Sequence, residues 1–386
     1  TSAGHQPMSD RSRRYTMVYN GEIYNFLELR RALESDHGPI SWRSESDSEL
    51  LLEGFALEGA NFFRKINGMF AFAIYDRADR ELLILRDPLG IKPLFFTSQR
   101  GGVFVASELK AFRALGGLSL TLRPESIADM MQFMFVPEPH TFYREVTKLP
   151  PGVLLRFRRG NEVAREDFAL EAEKGLARIP EAELVQRYGE LFAAAVKRQT
   201  RADVPIGIML SGGIDSSSVA LECAKAGAKL ERAFTIRVPS EESRFDMQSD
   251  DLPYTRRVAE MLGTPLEVIT ARPRMLDMLP DLAPVLDDGI ADPAAIASFA
   301  IFQQSAAQGI KVQMTGHGAD EYLSGYRRYP AFQALQHLPS WTRPAFAAAA
   351  KMMPGSIPGR LNASYRRISR LCSLAGKDEA GRLVGL

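Results

Sequence analysis

Apolar residues in the first third of the chain fall into short alternating runs. Residues 16–19, 69–75, 81–85 and 102–105 are rich in β-forming side chains, which predicts strands. Asn67-Gly68 and Asp87-Pro88 punctuate them as turns. Between these runs, residues 24–34 and 46–58 carry helical patterns, and the second opens with Ser and Asp residues suited to capping. Strands and helices in this mixture predict an α+β layer domain over residues 1–118. Residues 119–180 contain Pro137, Pro139, Pro150, Pro151 and Gly152, then a charged stretch over 156–174. They read as a connection with a solvated surface. A helix over 180–201 follows, with Leu184, Tyr188, Leu191, Phe192 and Ala195 on one face.

Beyond residue 181 the rhythm changes. Apolar strands over 205–210, 233–238, 266–269 and 310–314 alternate with helices over 213–228, 252–262 and 293–308. That order predicts an α/β domain with a parallel sheet over 181–386. No internal repeat breaks it.

Composition narrows the function classes. In 386 residues, 48 Lys and Arg face 47 Asp and Glu, a net charge of +1. No basic excess exists to neutralise a phosphate backbone, so nucleic acid is not expected as a partner. No run approaches the ~20 apolar residues of a membrane span, so no membrane partner is expected either. Cys223 and Cys372 have neither disulfide-framework nor metal-ligand spacing, which points to a reducing, cytoplasmic setting. The glycosylation sequon at Asn362 is then accidental.

The sharpest chemical signal is an apolar strand running into Ser211-Gly212-Gly213-Ile214-Asp215-Ser216-Ser217 and then a helix. Two glycines let the backbone turn tightly and approach an anion, while a helix start offers free N–H groups and a positive dipole. Hydroxyls of Ser211, Ser216 and Ser217 add donors. The segment is neither a Walker A loop nor a dinucleotide fingerprint. An Asp in such a loop would repel phosphate unless a cation bridges them, so Asp215 implies Mg²⁺. A second acidic loop, Gly316-His317-Gly318-Ala319-Asp320-Glu321, follows another apolar strand. In a parallel sheet both loops lie at the carboxyl ends of strands, where ligands bind. Asp215 and Asp320 could then share one Mg²⁺ on a triphosphate.

These two loops, with Ser324-Gly325-Tyr326-Arg327-Arg328-Tyr329, resemble the ATP-pyrophosphatase half of glutamine-dependent asparagine synthetases. That family joins this half to a glutaminase domain of the N-terminal-nucleophile class. The first third is similar to the glutaminase half at Tyr19-Asn20-Gly21-Glu22, Ser46-Asp47-Ser48-Glu49, Gly68-Met69-Phe70-Ala71 and Arg86-Asp87-Pro88-Leu89-Gly90. The resemblance implies an oxyanion hole from Asn20 and Gly21, with glutamine bound by Asn20, Glu22 and Asp47. In the synthetase half it implies adenosine framed by Met209, Ile236 and Gly316, and pyrophosphate held by Ser211, Gly212, Gly213, Asp215 and Ser216. Asp215 and Asp320 would hold Mg²⁺, and Glu321 would sit near the acceptor. ATP would activate aspartate, or another small carboxylate, as an acyl-adenylate for attack by ammonia. A homodimer is left open.

Three departures matter. The family's nucleophile is an N-terminal Cys, and no such Cys is present. Thr1 is not its replacement, because the match at residues 3–8 belongs inside the glutaminase domain. Both ends therefore read as truncated. Asparagine-forming members usually carry Glu where this chain has His317, which is either a general base or a neutral hydrogen-bonding member of the loop. The segment 286–293 lacks the Thr- and Arg-containing stretch of the best-established asparagine makers. An amide ligase of a modified-peptide or secondary-metabolite pathway, or a non-catalytic homologue, are the competing readings.

Overall fold

Strands of the first half are β1 (Met8–Ser9), β2 (Tyr15–Ile23), β3 (Gly68–Asp76), β4 (Glu81–Arg86), β5 (Phe95–Gln99), β6 (Gly102–Ala106), β7 (Thr147–Lys148), β8 (Val153–Arg158) and β9 (Asn161–Asp167). Six of them form an antiparallel sheet in the order β1-β2-β3-β4-β8-β9, and three form a second sheet, β6-β5-β7. The computed structural model describes residues 4–171, 173–237, 251–270, 275–326, 329–330, 333, 336–337, 339–353 and 372. Thr1, Arg327, Arg328 and the Asn362 sequon lie outside them. The chain divides into two units, Thr1–Gly213 with Val219–Met314, and Ile214–Ser218 with Thr315–Leu386.

Both faces of the large sheet are covered, and β3 shows how the sequence arranges it. Phe70, Phe72 and Ile74 point to one face, where they join Met17, Leu51 and Phe62. Ala71 and Ala73 point to the other and pack with Ile84, Leu155 and Phe157. Large and small apolar residues alternate with the strand period, so each face gets its own core. Helices α1 (Phe26–His37) and α2 (Asp47–Glu58) cover the first face through Leu29, Leu33 and Leu50. Next in the chain come α3 (Leu109–Leu115), α4 (Pro124–Phe133) and the long α5 (Glu181–Gln199). Along α5, Tyr188 and Leu191 stand exposed and Val196 is buried.

One expectation needs correction. The stretch 119–180 is more than a connection, because β8 pairs with β4 and β9 pairs with β8. The first sheet therefore continues to Asp167. Its charge run obscured the strand pattern: Val153, Leu154, Leu155 and Phe157 are buried, while the interleaved Arg156 pairs with Glu81 at 3.0 Å and Glu166 at 3.2 Å. Charges there serve cross-strand partners.

The third sheet consists of β10 (Ile206–Met209), β11 (Leu230–Arg237), β12 (Leu266–Thr270) and β13 (Val312–Met314), all parallel, in the order β12-β11-β10-β13. Helix α6 (Ile214–Lys225) and α7 (Leu252–Leu262) contribute Val219, Ala220, Cys223 and Ala259 to the core with Ile206 and Ile208. Helix α8 (Ala294–Ala307) contributes Ile301 to a second cluster with Phe234 and Ile310, against which Met209 and Ile236 pack. The chain steps from β10 to β11 to β12 in one direction, then places β13 on the other side of β10. That reversal is a topological switch point, where strand-end loops diverge and ligand crevices form.

Candidate active site

At the glutaminase-like end, β2 alternates Met17, Tyr19, Gly21 and Ile23 toward the side that α2 covers, with Met17 and Ile23 fully buried. Gln6 fixes the Tyr19 backbone from both sides: its Nε2 donates to the Tyr19 carbonyl at 2.8 Å and its Oε1 accepts from the Tyr19 N–H at 2.6 Å. Gly21 sits opposite Phe70 in the ladder, and a Cβ there would overlap the Met69 carbonyl and come within 2.7 Å of Phe70 Cα. Glycine is the residue that fits.

Two candidates suited to capping α2 divide the work. Ser46 is the cap, its side chain accepting from the Glu49 N–H at 3.2 Å. Asp47 instead reaches across to β2, where its Oδ2 accepts from the Tyr19 hydroxyl at 2.7 Å and the Ile23 N–H at 3.0 Å. This brings Asp47 beside Glu22, whose carboxyl is pushed up to about 7 by burial, then by the charges of Asp47 and Asp203, against the opposing pull of Lys92. The two carboxylates thus lie close enough for Asp47 to raise Glu22, with Lys92 as the opposing cation. Asn20 is exposed, with its Nδ2 3.4 Å from Ser107 Oγ.

The frame behind these residues was not assigned from sequence. Buried Asp87 accepts from the N–H groups of Leu89 at 3.1 Å, Ile91 at 3.0 Å and Lys92 at 3.0 Å, and from Phe70, opposite Gly21, at 3.3 Å. Buried Arg86 donates to Glu138 at 2.6 Å and to the Leu149 carbonyl at 2.8 Å. An acid followed by Pro and Gly suggests a turn, but the register with Phe70 is not visible in a local window. For Tyr19, the two-residue period of β2 is the signal that could have found it.

The Ser211-Gly212-Gly213 turn follows β10 directly. Gly212 has φ +81°, and a Cβ on it would stand 2.7 Å from the Asp251 carbonyl and 2.8 Å from Thr255 Oγ1. A side chain at this position is both strained and obstructed. Gly213 caps α6, and its N–H lies 3.3 Å from Ser211 Oγ. In the other unit, a Cβ on Gly316 would stand 2.7 Å from the Ser216 nitrogen and 3.1 Å from Asp215 Cβ. Bare backbone at Gly316 thus packs directly on Asp215 and Ser216.

Asp215 and Asp320 each lie in the first turn of a helix, α6 and the short α9 (Ala319–Leu323). Among the described residues no three His, Cys, Asp or Glu side chains converge as a metal cage. Mg²⁺ takes one or two carboxylates beside substrate phosphates and keeps several waters, so Asp215 and Asp320 are donors of the kind it uses. With hard oxygen donors on the backbone-packed loops, the residues fit the ion. Exposed His317 has its Nδ1 3.1 Å from Thr315 Oγ1, and Glu321 accepts from the Tyr326 hydroxyl at 2.6 Å. Met209 and Ile236 lie on neighbouring parallel strands in the same apolar cluster. Cys223 is fully buried among apolar side chains and burial pushes its thiol up to about 11, which removes it as a nucleophile. No helix of the described residues is long and apolar enough to cross a membrane.

Two families match successive parts of the chain. The family described as a glutamine amidotransferase domain matches residues 1–168, and the family described as asparagine synthase matches residues 187–382. A putative glutamine-hydrolysing asparagine synthetase of Mycobacterium bovis is 31% identical over 370 residues, covering 92% of this chain and 55% of that protein. Asparagine synthetase 1 of Bacillus subtilis is 30% identical over 361 residues, with the same coverage of 92% and 55%. A protein of Penicillium rubens named amidase chyE is 32% identical over 381 residues, again covering 92% and 55%. The chain spans about half the length of these curated relatives. With an antiparallel layered sheet followed by a parallel α/β sheet, and with a match over residues 187–382, the chain belongs to the asparagine synthase family.

Proposed function

We propose that the protein is a glutamine-dependent, ATP-consuming amide ligase that converts aspartate to asparagine in the cytoplasm. The observation that carries this reading is the pairing of Glu22 and Asp47 beside Asn20-Gly21 in the same chain as the Ser211–Ser216 loop. Glu22, Asp47 and Asn20 bind glutamine, the carboxylates taking its α-ammonium. When a nucleophile adds to the amide carbon, the Asn20 side-chain amide and the Gly21 N–H stabilise the oxyanion; the C–N bond then breaks with proton transfer to the departing ammonia, and water completes the hydrolysis to glutamate.

In the second half, a β-carboxylate oxygen of aspartate attacks the α-phosphorus of ATP and pyrophosphate departs. Met209, Ile236 and Gly316 frame the adenosine, while Ser211, Gly212, Gly213, Asp215 and Ser216 hold the pyrophosphate. Mg²⁺ held by Asp215 and Asp320 would offset the charge of the triphosphate. Ammonia then adds to the acyl carbon and AMP leaves with the C–O electron pair. Glu321 lies toward the acceptor, and His317 takes up the proton that the attacking amine sheds.

A second reading draws support from the Penicillium relative named an amidase: the same chemistry on another carboxylate, in a modified-peptide or secondary-metabolite pathway. ATP–pyrophosphate exchange on the full-length protein separates the two. Exchange that requires aspartate and disappears in Asp215→Ala supports asparagine formation. Exchange with a different carboxylate favours the second reading, and silence with every carboxylate sinks the adenylation chemistry.

A further inference from the structure

The segment before α8 is fastened to elements of the glutaminase-like half at several points. Asp287 Oδ2 accepts the Lys110 N–H at 2.6 Å, near the start of α3, and the Lys110 ammonium donates to the Pro284 carbonyl at 3.2 Å. The Ala291 N–H donates to the Met134 carbonyl at 2.8 Å, just past α4. Gly289 has φ +62°, and any Cβ there would overlap the Phe142 ring.

At the centre is an ion pair. Asp288 Oδ2 lies 2.5 Å from Lys148 Nζ, and the two side chains are only 14% and 12% exposed. Lys148 also donates to the Val136 carbonyl at 2.9 Å. The other Asp288 oxygen is buried, with no hydrogen-bond partner among the described residues. Burial holds the Asp288 carboxyl above its ordinary range, with Lys148 as the main opposing influence. Asp288 therefore depends on Lys148 for its charge.

Both ends of this pair lead toward a proposed site. Leu149, next to Lys148, accepts from Arg86, and Asp87 in turn accepts from Phe70, the ladder partner of Gly21. On the other side, Asp288 lies a few residues before α8, whose Ile301 packs with Phe234 beside Met209 and Ile236. We propose that Lys148 and Asp288 are positioning residues that hold the 284–291 segment and α8 in register with the glutaminase half, so that ammonia release is matched to adenylate formation. The function assigned above supplies the two half-reactions that this proposal links.

The test uses the full-length protein with Lys148→Met, Asp288→Asn and the double variant. Glutamate and pyrophosphate are measured from the same reaction, alongside ammonia-supported pyrophosphate release and hydrogen exchange at the Ala291 amide. The expected result is several-fold more glutamate per pyrophosphate in either single variant, with the double variant no worse. Glutamine hydrolysis and ammonia-supported release stay within about twofold of wild type, and Ala291 exchange accelerates. An unchanged glutamate-to-pyrophosphate ratio overturns the proposal, as do losses that add in the double variant and hit every activity equally. A wild-type protein that releases neither glutamate nor pyrophosphate would refute the functional assignment instead. Hydrogen exchange then still decides the clamp, and unchanged protection at Ala291 overturns it.

Discussion

The Tyr19 hydroxyl donates to Asp47 Oδ2 at 2.7 Å, tying the first helical residue of α2 to a strand 28 positions away. Asp47 is thereby oriented before any substrate arrives. Tyr19→Phe removes one hydrogen bond to a charged acceptor, worth about 1.5–3 kcal/mol. A rise in the KM for glutamine of roughly tenfold is expected, with ammonia-supported activity unchanged. Steady-state kinetics with each nitrogen donor checks it, and an unchanged KM would show that Asp47 needs no such support.

Glu22 gives the proposed glutamine site a pH dependence. Its carboxyl is pushed up from 4.5 to about 7, first by burial and then by Asp47, yet it must be ionised to receive an ammonium. The value of kcat/KM for glutamine should rise through pH 7 and level off above it, and Glu22→Gln should be low and flat. Stability runs the other way. Because the folded-state value is raised, the contribution is complete below 4.5 and is lost as pH rises through 7. Denaturation of wild type and Glu22→Gln between pH 4.5 and 8 should converge at low pH, if their remaining slopes are subtracted.

Gly21→Ala forces a methyl group into the Met69 carbonyl and Phe70. Local strand displacement of this kind costs about 1–3 kcal/mol. Thermal melting should show a drop of several degrees, and glutamine hydrolysis should fall with it while ATP–pyrophosphate exchange persists. A wild-type melting temperature would mean that the β2–β3 ladder yields without cost.

Asp87→Asn replaces a carboxylate that accepts four backbone N–H groups with a side chain that has one acceptor oxygen. Buried donors are left unpaired, at about 1–3 kcal/mol. Chemical denaturation should report that loss with little change in slope. Equal stability would show that water replaces the missing acceptor.

Gly316→Ala places a methyl group 2.7 Å from the Ser216 nitrogen. Displacement of about 1 Å in a phosphate-binding loop can lower turnover ~100-fold. Exchange of pyrophosphate should fall on that scale with glutaminase activity intact. Loss of both activities together would point to unfolding.

Much of this protein was determined by the chain's local patterns. In β3 the alternation of Phe70, Phe72 and Ile74 with Ala71 and Ala73 specified a strand with two buried faces, because side chains on a strand change sides at each residue. Strand, Ser-Gly-Gly and helix start were likewise legible at 206–216, since turn chemistry and capping act over a few residues. Tertiary structure decided the rest. It chose Ser46 as the cap and sent Asp47 to Tyr19, drew β8 and β9 into the first sheet through a charge run, and brought Asp287 to Lys110 across 177 positions. Such contacts depend on register and on which faces meet, and those are properties of the packed whole that no short window of sequence contains.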